Sequence, residues 1–241
     1  MEAPVASLRI AAAHGRPLVD AGARLVEVPA PLAPLFPEGG IRRGTTVAVG
    51  PLLGGCSVAL SLAGAVTRGG GWVAAVGTPS LGLVAAAELG VDLRRLALVP
   101  GPGDQWPTVV AALVDGFDLL LVRPAGRVRA ADARRLAARV RERGTVMVLL
   151  DPPGWPESPD IRLWAGPSEW EGLGEGHGHL RARRMVVSAG GRRVGGRERR
   201  REVWLPSPDG RVAGDPAMAP GQPGADRPAV PVPADAWEVA G

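Results

Sequence analysis

Residues 50–57 have the spacing of a phosphate-binding loop but lack its positive charge. The segment GPLLGGCS follows the pattern GxxxxGK[ST], with Gly50 and Gly55 at the glycine positions and Ser57 at the hydroxyl position. Cys56 stands where the lysine belongs, and a thiol cannot supply the charge that contacts the β- and γ-phosphates of a nucleotide. No shift of register restores that charge, because the chain contains no lysine.

The residues around this loop predict the strand and the helix that would position it. Residues 45–49 are a short β-branched run typical of a buried strand, and residues 57–68 are apolar almost all round, as in a covered helix. The loop between them is then either an inert turn that needs glycine or a weak anion site made of backbone N–H groups and the helix dipole. No resident cofactor is expected, and weak ATP binding stays open. The candidate loop residues are Gly50, Gly54, Gly55, Cys56 and Ser57. The thiol of Cys56 is either reactive, as at many helix N-termini, or inert through burial.

The remainder of the chain to residue 150 alternates between apolar runs and helical segments. Continuous apolar strands separated by helices of about a dozen residues predict an α/β fold with a mainly parallel central sheet covered by helices. Beyond residue 150 the pattern changes to antiparallel strands joined by glycine-rich turns. The predicted strands are 45–49, 72–76, 96–99, 119–122, 145–150, 161–165, 179–188 and 201–205, and the predicted helices are 57–68, 80–89, a helix beginning at Asp104, and 130–143. We expect three parts, namely a helical leader at 1–35, the core at 36–210 and a disordered Pro/Gly-rich tail at 211–241.

Composition excludes several classes of protein. The chain has 241 residues, is 46% hydrophobic and carries a net charge of only +4. A single cysteine excludes an intramolecular disulfide and a cysteine-based zinc site. The N-terminal sequence lacks the apolar stretch of a signal peptide, and no apolar run is long enough to span a bilayer. A cytoplasmic protein without a membrane partner is expected.

Arginine, tryptophan and histidine clusters raise further candidate sites. The run from residue 181 to 201 is dense in arginine and could neutralise phosphates, or it could be a solvated hairpin that pairs with acids. Its candidate nucleic-acid contacts are Arg181, Arg183, Arg184, Arg192, Arg193, Arg197, Arg199, Arg200 and Arg201. The neighbouring Trp164, Trp170 and Trp204 could stack on bases, although packing within strands is favoured. Residues 169–179 contain acids and two histidines, but a hairpin loop is favoured over a metal site, and no metal is expected. In the tail, Trp237 either anchors a docking peptide or is inert.

Three segments resemble the RecA superfamily in order and spacing. The phrase LFPEGGIRRGTTVAVGPLLGGCS resembles the family's entry into its phosphate loop, AAELGVDLRRLALVPGPGDQ resembles a following segment, and VDGFDLLLVRP resembles the Walker B strand. The resemblance covers roughly residues 30–205. Within the superfamily the chain looks most like the actinobacterial ImuA-type proteins, accessory factors of the mutasome. That resemblance implies partners, an ImuB-type Y-family polymerase homologue and an error-prone DNA polymerase, and it leaves direct DNA contact open.

The chain departs from the active form of this family at three catalytic positions. Cys56 replaces the Walker A lysine, and Arg123 aligns with the Walker B aspartate, where a cation would repel Mg²⁺. Thr78 falls near the glutamate that activates water, and a threonine cannot act as that base. The loops that grip single-stranded DNA also have no room between the fourth strand and the next helix, or before residue 161. We therefore expect a non-catalytic RecA-like adaptor in DNA-damage tolerance. The alternatives are a diverged recombinase-type ATPase that binds DNA and a SulA-type inhibitor of cell division.

Overall fold

The fold is described by a computed structural model over residues 24–50, 54–124, 126–150, 155–174 and 177–214. The strands within those residues are β1 Leu25–Val26, β2 Ile41–Arg42, β3 Thr46–Val49, β4 Val73–Val76, β5 Leu96–Val99, β6 Leu119–Val122, β7 Val146–Leu150, β8 Ile161–Gly174, β9 His177–Gly190, β10 Arg199–Trp204 and β11 Ala213–Gly214. The α-helices there are α1 Gly55–Arg68, α2 Leu83–Glu88, α3 Trp106–Leu113 and α4 Ala130–Arg143. Short 3₁₀ segments at Ala30–Leu35, Leu93–Arg95, Gly103–Gln105 and Arg192–Val194 connect them.

A mixed sheet forms the centre of the described structure. Its order is β11-β10-β9-β8-β3-β7-β6-β4-β5. From β8 to β5 neighbouring strands are parallel, and from β8 to β11 they are antiparallel. The predicted α/β class, with a mainly parallel sheet and antiparallel strands after residue 150, is confirmed. The separate β1–β2 ribbon leads into β3.

Alternate residues of the parallel strands bury themselves in two cores on opposite faces of the sheet. On β7, Val146 and Val148 face one core, whereas Met147 and Leu149 face the other. Helices α1 and α2 cover the first face, and α3 and α4 cover the second. A strand that is buried on both faces has a continuous apolar sequence, and these strands can therefore be predicted from the sequence.

The helix α1 is buried along nearly its whole length. Eleven of its residues are buried, and Gly64 passes so close to α2 that a Cβ there would lie 2.6 Å from the carbonyl oxygen of Leu89. The apolar, small-residue sequence of α1 therefore suits a helix wedged between the sheet and its neighbours.

The antiparallel strands are longer than their sequence pattern predicts. Residues 161–174 and 177–190 form one hairpin with fourteen-residue arms, and the favoured hairpin loop at 169–179 is in large part paired strand. The pairing register shifts between Ala165 and Ser168 and again between Glu171 and Leu173. Those bulges interrupt the period-two alternation, which is the reason that a local pattern missed the continuation.

Two buried carboxylates fix the amino ends of the strands. Asp118 precedes β6, accepts a hydrogen bond from Arg43 at 3.0 Å and accepts another from the backbone N–H of Trp72 at 3.0 Å. Asp160 precedes β8, accepts from the backbone N–H of Thr46 at 3.0 Å and pairs with Arg192 at 2.8 Å. The two carboxylates thereby stabilise the strand edge opposite the phosphate loop.

The described fold includes residues assigned above to the leader. Strand β1 pairs with β2, and the 3₁₀ segment that follows β1 places Leu32 and Leu35 in the core. Residues 1–23, which carry most of the predicted leader helix, lie outside the described residues, as does the tail from 215 onward. The last four described residues, 211–214, include β11, which pairs with β10.

Candidate functional site: a phosphate loop with an arginine from the hairpin

The start of α1 lies at the carboxyl edge of the sheet, directly after β3. The backbone N–H of Gly50 bonds to the carbonyl of Leu163 on β8, so the loop begins against the hairpin. Gly54 has a φ of +117°, and a Cβ there would lie 2.7 Å from the methyl of Met185. Gly55 approaches the carbonyl oxygen of Gly50 so closely that its Cβ would lie 2.4 Å away. Both glycines are thus required by close approach in this turn.

An arginine from β9 reaches the serine of the loop. The Nη2 of Arg183 donates a hydrogen bond to the Oγ of Ser57 at 3.0 Å, and its Nε donates to the carbonyl of Leu205 at 2.8 Å. The guanidinium also lies 5.0 Å from the ring centre of Trp170, the residue opposite Arg183 in the hairpin register. The hydroxyl that would hold Mg²⁺ in an active loop is therefore held by a cation of the same chain.

Arg183 is buried without an acidic partner. The residue is 6% exposed, and among the described residues it forms no ion pair with a carboxylate. Burial lowers the pKa of its guanidinium, because the charged form is desolvated. The start of α1 adds the partial positive charge of a helix N-terminus. The floor of this site is thus positive although the motif's lysine is missing.

Cys56 and Arg123 occupy the predicted positions beside this turn. Arg123 follows β6 directly, with its backbone N–H bonded to the carbonyl of Val76. Cys56 is an exposed residue, yet the protein around its thiol displaces enough water for desolvation to raise its pKa, and the charge of Arg123 opposes that rise. The chain therefore places an arginine, and no carboxylate, where the Walker B residue is expected.

Thr78 lies where the sequence predicts it, after β4 at the same edge. Its side-chain oxygen is buried and has no hydrogen-bond partner in the part of the chain that the structure describes. A threonine hydroxyl has no basicity near neutral pH, so this position offers no group that could activate water.

The other predicted arginine contacts are dispersed over several surfaces. Arg184 faces away from Arg183 on the same strand and pairs with Glu169 and Glu202. Arg192 and Arg193 pair with Asp160, Arg200 pairs with Glu198, and Arg199 donates to the carbonyl of Pro34. Of the members that form no ion pair within the described residues, Arg181, Arg197 and Arg201 are exposed and Arg199 is half-buried. Nucleic-acid binding by this set stays a prediction.

Arg183 is one of many arginines in residues 181–201, and charge alone does not distinguish it from the others. A signal was present, because Arg183 shares its parity with the apolar residues Met185 and Val187, which point into the core. An arginine at a core-facing position of a strand is an expensive placement that calls for a specific partner.

The remaining candidate sites are the tryptophans near the arginine run, a possible metal site and Trp237 in the tail. The three tryptophans near the arginine run lie on β8 and β10, with Trp164 and Trp204 half-buried and Trp170 exposed. Within the described residues there is no group of three His, Cys, Asp or Glu side chains that could hold a metal. Trp237 lies outside those residues. In the same portion of the chain, no helix combines the length and apolar character needed to cross a bilayer.

Comparison with known proteins identifies relatives of both the sequence and the fold. An uncharacterized protein of Mycobacterium tuberculosis (strain ATCC 25618 / H37Rv), Rv3395c, is 45% identical over 104 residues, which is 43% of this chain and 51% of that protein. The matched region thus spans about half the length of that relative.

Two solved structures share the architecture at low sequence identity. The RadB recombinase is similar with a TM-score of 0.53 and 14% identity over 79% of this chain and 98% of that one. The flagellar accessory protein FlaH from Methanocaldococcus jannaschii is similar with a TM-score of 0.54 and 13% identity over 80% of this chain and 98% of that one. At such identities the likeness shows the fold alone, and the predicted RecA-like fold is confirmed, whereas the ImuA-type assignment stays a prediction. The family described as the MT3502 N-terminal domain matches residues 34–157, just over half of the chain, and the protein therefore belongs to that family.

Proposed function

We propose that this protein is a RecA-like scaffold without ATPase activity that serves as an adaptor in DNA-damage tolerance. Its partners would be an ImuB-type polymerase homologue and, through it, an error-prone DNA polymerase. The proposal assigns the chain a role in protein contact, and it needs neither nucleotide hydrolysis nor a recombinase filament.

The observation that carries the non-catalytic part is the bond from Arg183 to Ser57. The Ser57 hydroxyl uses one of its lone pairs to accept from the Arg183 guanidinium at 3.0 Å, and the positive charge of that guanidinium opposes the binding of Mg²⁺ at the same oxygen. The arginine would have to leave its bond to the Leu205 carbonyl and its place beside Trp170 before a metal–nucleotide complex could enter. The lysine and the aspartate that an active site uses for hydrolysis are also replaced, by Cys56 and Arg123. Together these contacts support a loop that has become structural.

The choice of pathway and partners rests on the resemblance to ImuA-type proteins. The RadB similarity supports only a RecA-like scaffold, and a RecA-like scaffold is compatible with a recombinase-type ATPase or an adaptor. The arginine contact at Ser57 favours the adaptor over the ATPase.

The first experiment titrates the purified chain with a fluorescent ATP analogue, with and without Mg²⁺ and single-stranded DNA. We expect no saturable binding into the millimolar range. A triple variant, Cys56→Lys with Arg123→Asp and Arg183→Met, restores the lysine and the carboxylate and removes the blocking arginine, and it reports whether the scaffold still accepts nucleotide. Micromolar, Mg²⁺-dependent binding by the unaltered chain that is lost in Ser57→Ala would overturn the non-catalytic assignment.

The second experiment tests the pathway in cells. Deletion of the gene is expected to abolish damage-induced mutagenesis, and complementation by Ser57→Ala is expected to restore it, because the hydroxyl has no role in hydrolysis. Deletion that leaves induced mutagenesis intact but changes cell filamentation would refute the adaptor and support a division inhibitor. A complementing gene that fails only when Ser57 is changed would indicate a nucleotide-dependent function.

A further inference from the structure

An open groove of about 590 Å³ separates the hairpin from α2 and from the turn at residues 206–210. Trp170 and Leu180 line it from the hairpin, Leu89 follows α2, and Pro206 and Pro208 come from the turn. Trp170 and Leu180 are 42% and 49% exposed, which is unusual for large apolar side chains grouped in one concave surface. The groove therefore has room for an aromatic side chain together with its flanking residues, and its apolar side chains lie beside the polar Ser57, Glu88, Arg181 and Asp209.

The hairpin side of the groove is positively charged. Arg181 lines it and forms no ion pair with a carboxylate within the described residues. Arg183, also without such a pair there, stacks beside Trp170 and donates to Ser57, which also lines the groove.

The acids of the groove come from other elements. Glu88 belongs to α2, and Asp209 belongs to the turn, where its carboxylate already accepts from Ser207 and from the backbone N–H of Arg211. An occupant with an apolar ring flanked by acids would match the hairpin side, because neither Arg181 nor Arg183 pairs with a carboxylate of the residues that the structure describes.

One segment of this chain has that chemistry and the length of chain needed to reach the groove. Residues 234–239 read ADAWEV, in which Asp235 and Glu238 flank the lone tail aromatic Trp237. Gly210 lines the groove, and Gly214 is four residues later in the chain. Four residues span at most about 14 Å, so Gly214 lies within that distance of Gly210. Trp237 is 23 residues after Gly214, and a flexible chain of that length has a root-mean-square span of about 26 Å, which is enough to reach the groove.

We propose that residues 234–239 dock in this groove in cis. Trp237 would lie against Trp170 and Leu180, and its acidic neighbours would face Arg181. The groove would then be covered by the chain's own tail, and an external partner would have to displace that tail to reach it.

The test labels a thiol placed in the groove of the full-length chain. Leu180→Cys in a Cys56→Ala background is treated with a maleimide, and its labelling rate is compared with that of the same chain carrying Trp237→Ala. We expect the rate to rise about tenfold when the tryptophan is removed, because the docked ring no longer covers residue 180. The matched control is Met218→Ala, an apolar truncation elsewhere in the tail, which should leave the rate unchanged.

Charge reversal provides an independent measurement. In the same background, Arg181→Glu should bring the ratio of labelling rates without and with Trp237 towards one, and adding Glu238→Arg should restore that ratio by placing opposite charges across the contact again. The ratio is used because residue 181 lies beside the thiol and changes its intrinsic reactivity. Equal labelling with and without Trp237 would overturn the proposal. Protection that grows with protein concentration would also overturn it, since a second copy and not the same chain would then fill the groove.

Discussion

The contact between Arg183 and Ser57 predicts a measurable energetic coupling between two residues far apart in sequence. The variant Arg183→Met keeps an apolar stem beside Trp170 but removes the guanidinium. The Leu205 carbonyl then loses its donor in a fully buried place, at a cost of about 1–3 kcal/mol. The bond to Ser57 is charge-assisted and contributes about 1.5–3 kcal/mol. Relief of the desolvated charge offsets part of the loss, and we expect a net destabilisation of about 1–3 kcal/mol.

A double-mutant cycle isolates the bond itself. Ser57→Ala alone should cost about 1.5–3 kcal/mol, and most of that cost should be absent when Arg183 is already methionine. The matched control is Arg184→Met, on the opposite face of the same strand and paired with Glu169 and Glu202. Its effect should add to that of Ser57→Ala within about 0.5 kcal/mol.

Urea unfolding gives the free energy of unfolding of the four proteins in each cycle. If the dependence of that free energy on urea concentration is unchanged, the differences between the unfolding midpoints give the coupling energy. Additivity of Arg183→Met and Ser57→Ala would show that the two side chains do not interact in solution. In that case the hydroxyl is available, and the reasoning that assigns the loop a structural role is refuted.

Two further predictions concern the buried charge at the strand edge and the loop thiol. Asp118→Asn removes the buried counter-charge of Arg43, whose side chain is 16% exposed, and should destabilise the fold by about 3 kcal/mol in urea unfolding. Asp115→Asn breaks exposed pairs and should cost at most about 1 kcal/mol, and equal effects of the two variants would contradict the prediction. Because burial raises the pKa of Cys56, its alkylation by iodoacetamide should have a higher pH midpoint in the folded chain than in urea, and Arg123→Met should raise that midpoint further. A thiol whose pKa is higher in the folded chain stabilises the fold fully below its unfolded pKa, and that contribution is lost as the pH rises through the folded pKa. The free energy of unfolding of the unaltered chain should therefore fall across this pH window. A free energy of unfolding that rises there in the unaltered chain, but not in Cys56→Ala, would contradict the prediction.

Local sequence pattern predicts the parallel part of the fold because those strands are buried on both faces. The residues of β4, β6 and β7 are unbroken apolar runs, and α4 has the amphipathic period of a helix that covers one side of a sheet. The start of α2 is less well predicted, because residues 78–81 form a turn in which the N–H of Leu81 bonds to the carbonyl of Thr78, and the helix begins only at Leu83.

The key contact of the candidate site depends on pairing between distant segments, which a local pattern does not contain. The position of Arg183 opposite Trp170 follows from the register of β8 against β9, and that register is set after a bulge. The positions of Cys56, Arg123 and Thr78 could be predicted from the sequence, since each directly follows or begins an element with a clear pattern. The contact of Arg183 with Ser57 could not be predicted until the hairpin was paired.

The separation of 126 residues between Ser57 and Arg183 also bears on synthesis of the chain. The glycine turn emerges from the ribosome early, but the arginine that holds its serine arrives only with β9, and the carbonyl that orients the arginine belongs to Leu205. Until then the start of α1 is a positively charged helix end without its final neighbours. Completion of this turn is therefore a late event in biogenesis, and chain truncations before residue 205 should leave it open to chaperones and to small anions in the nascent protein.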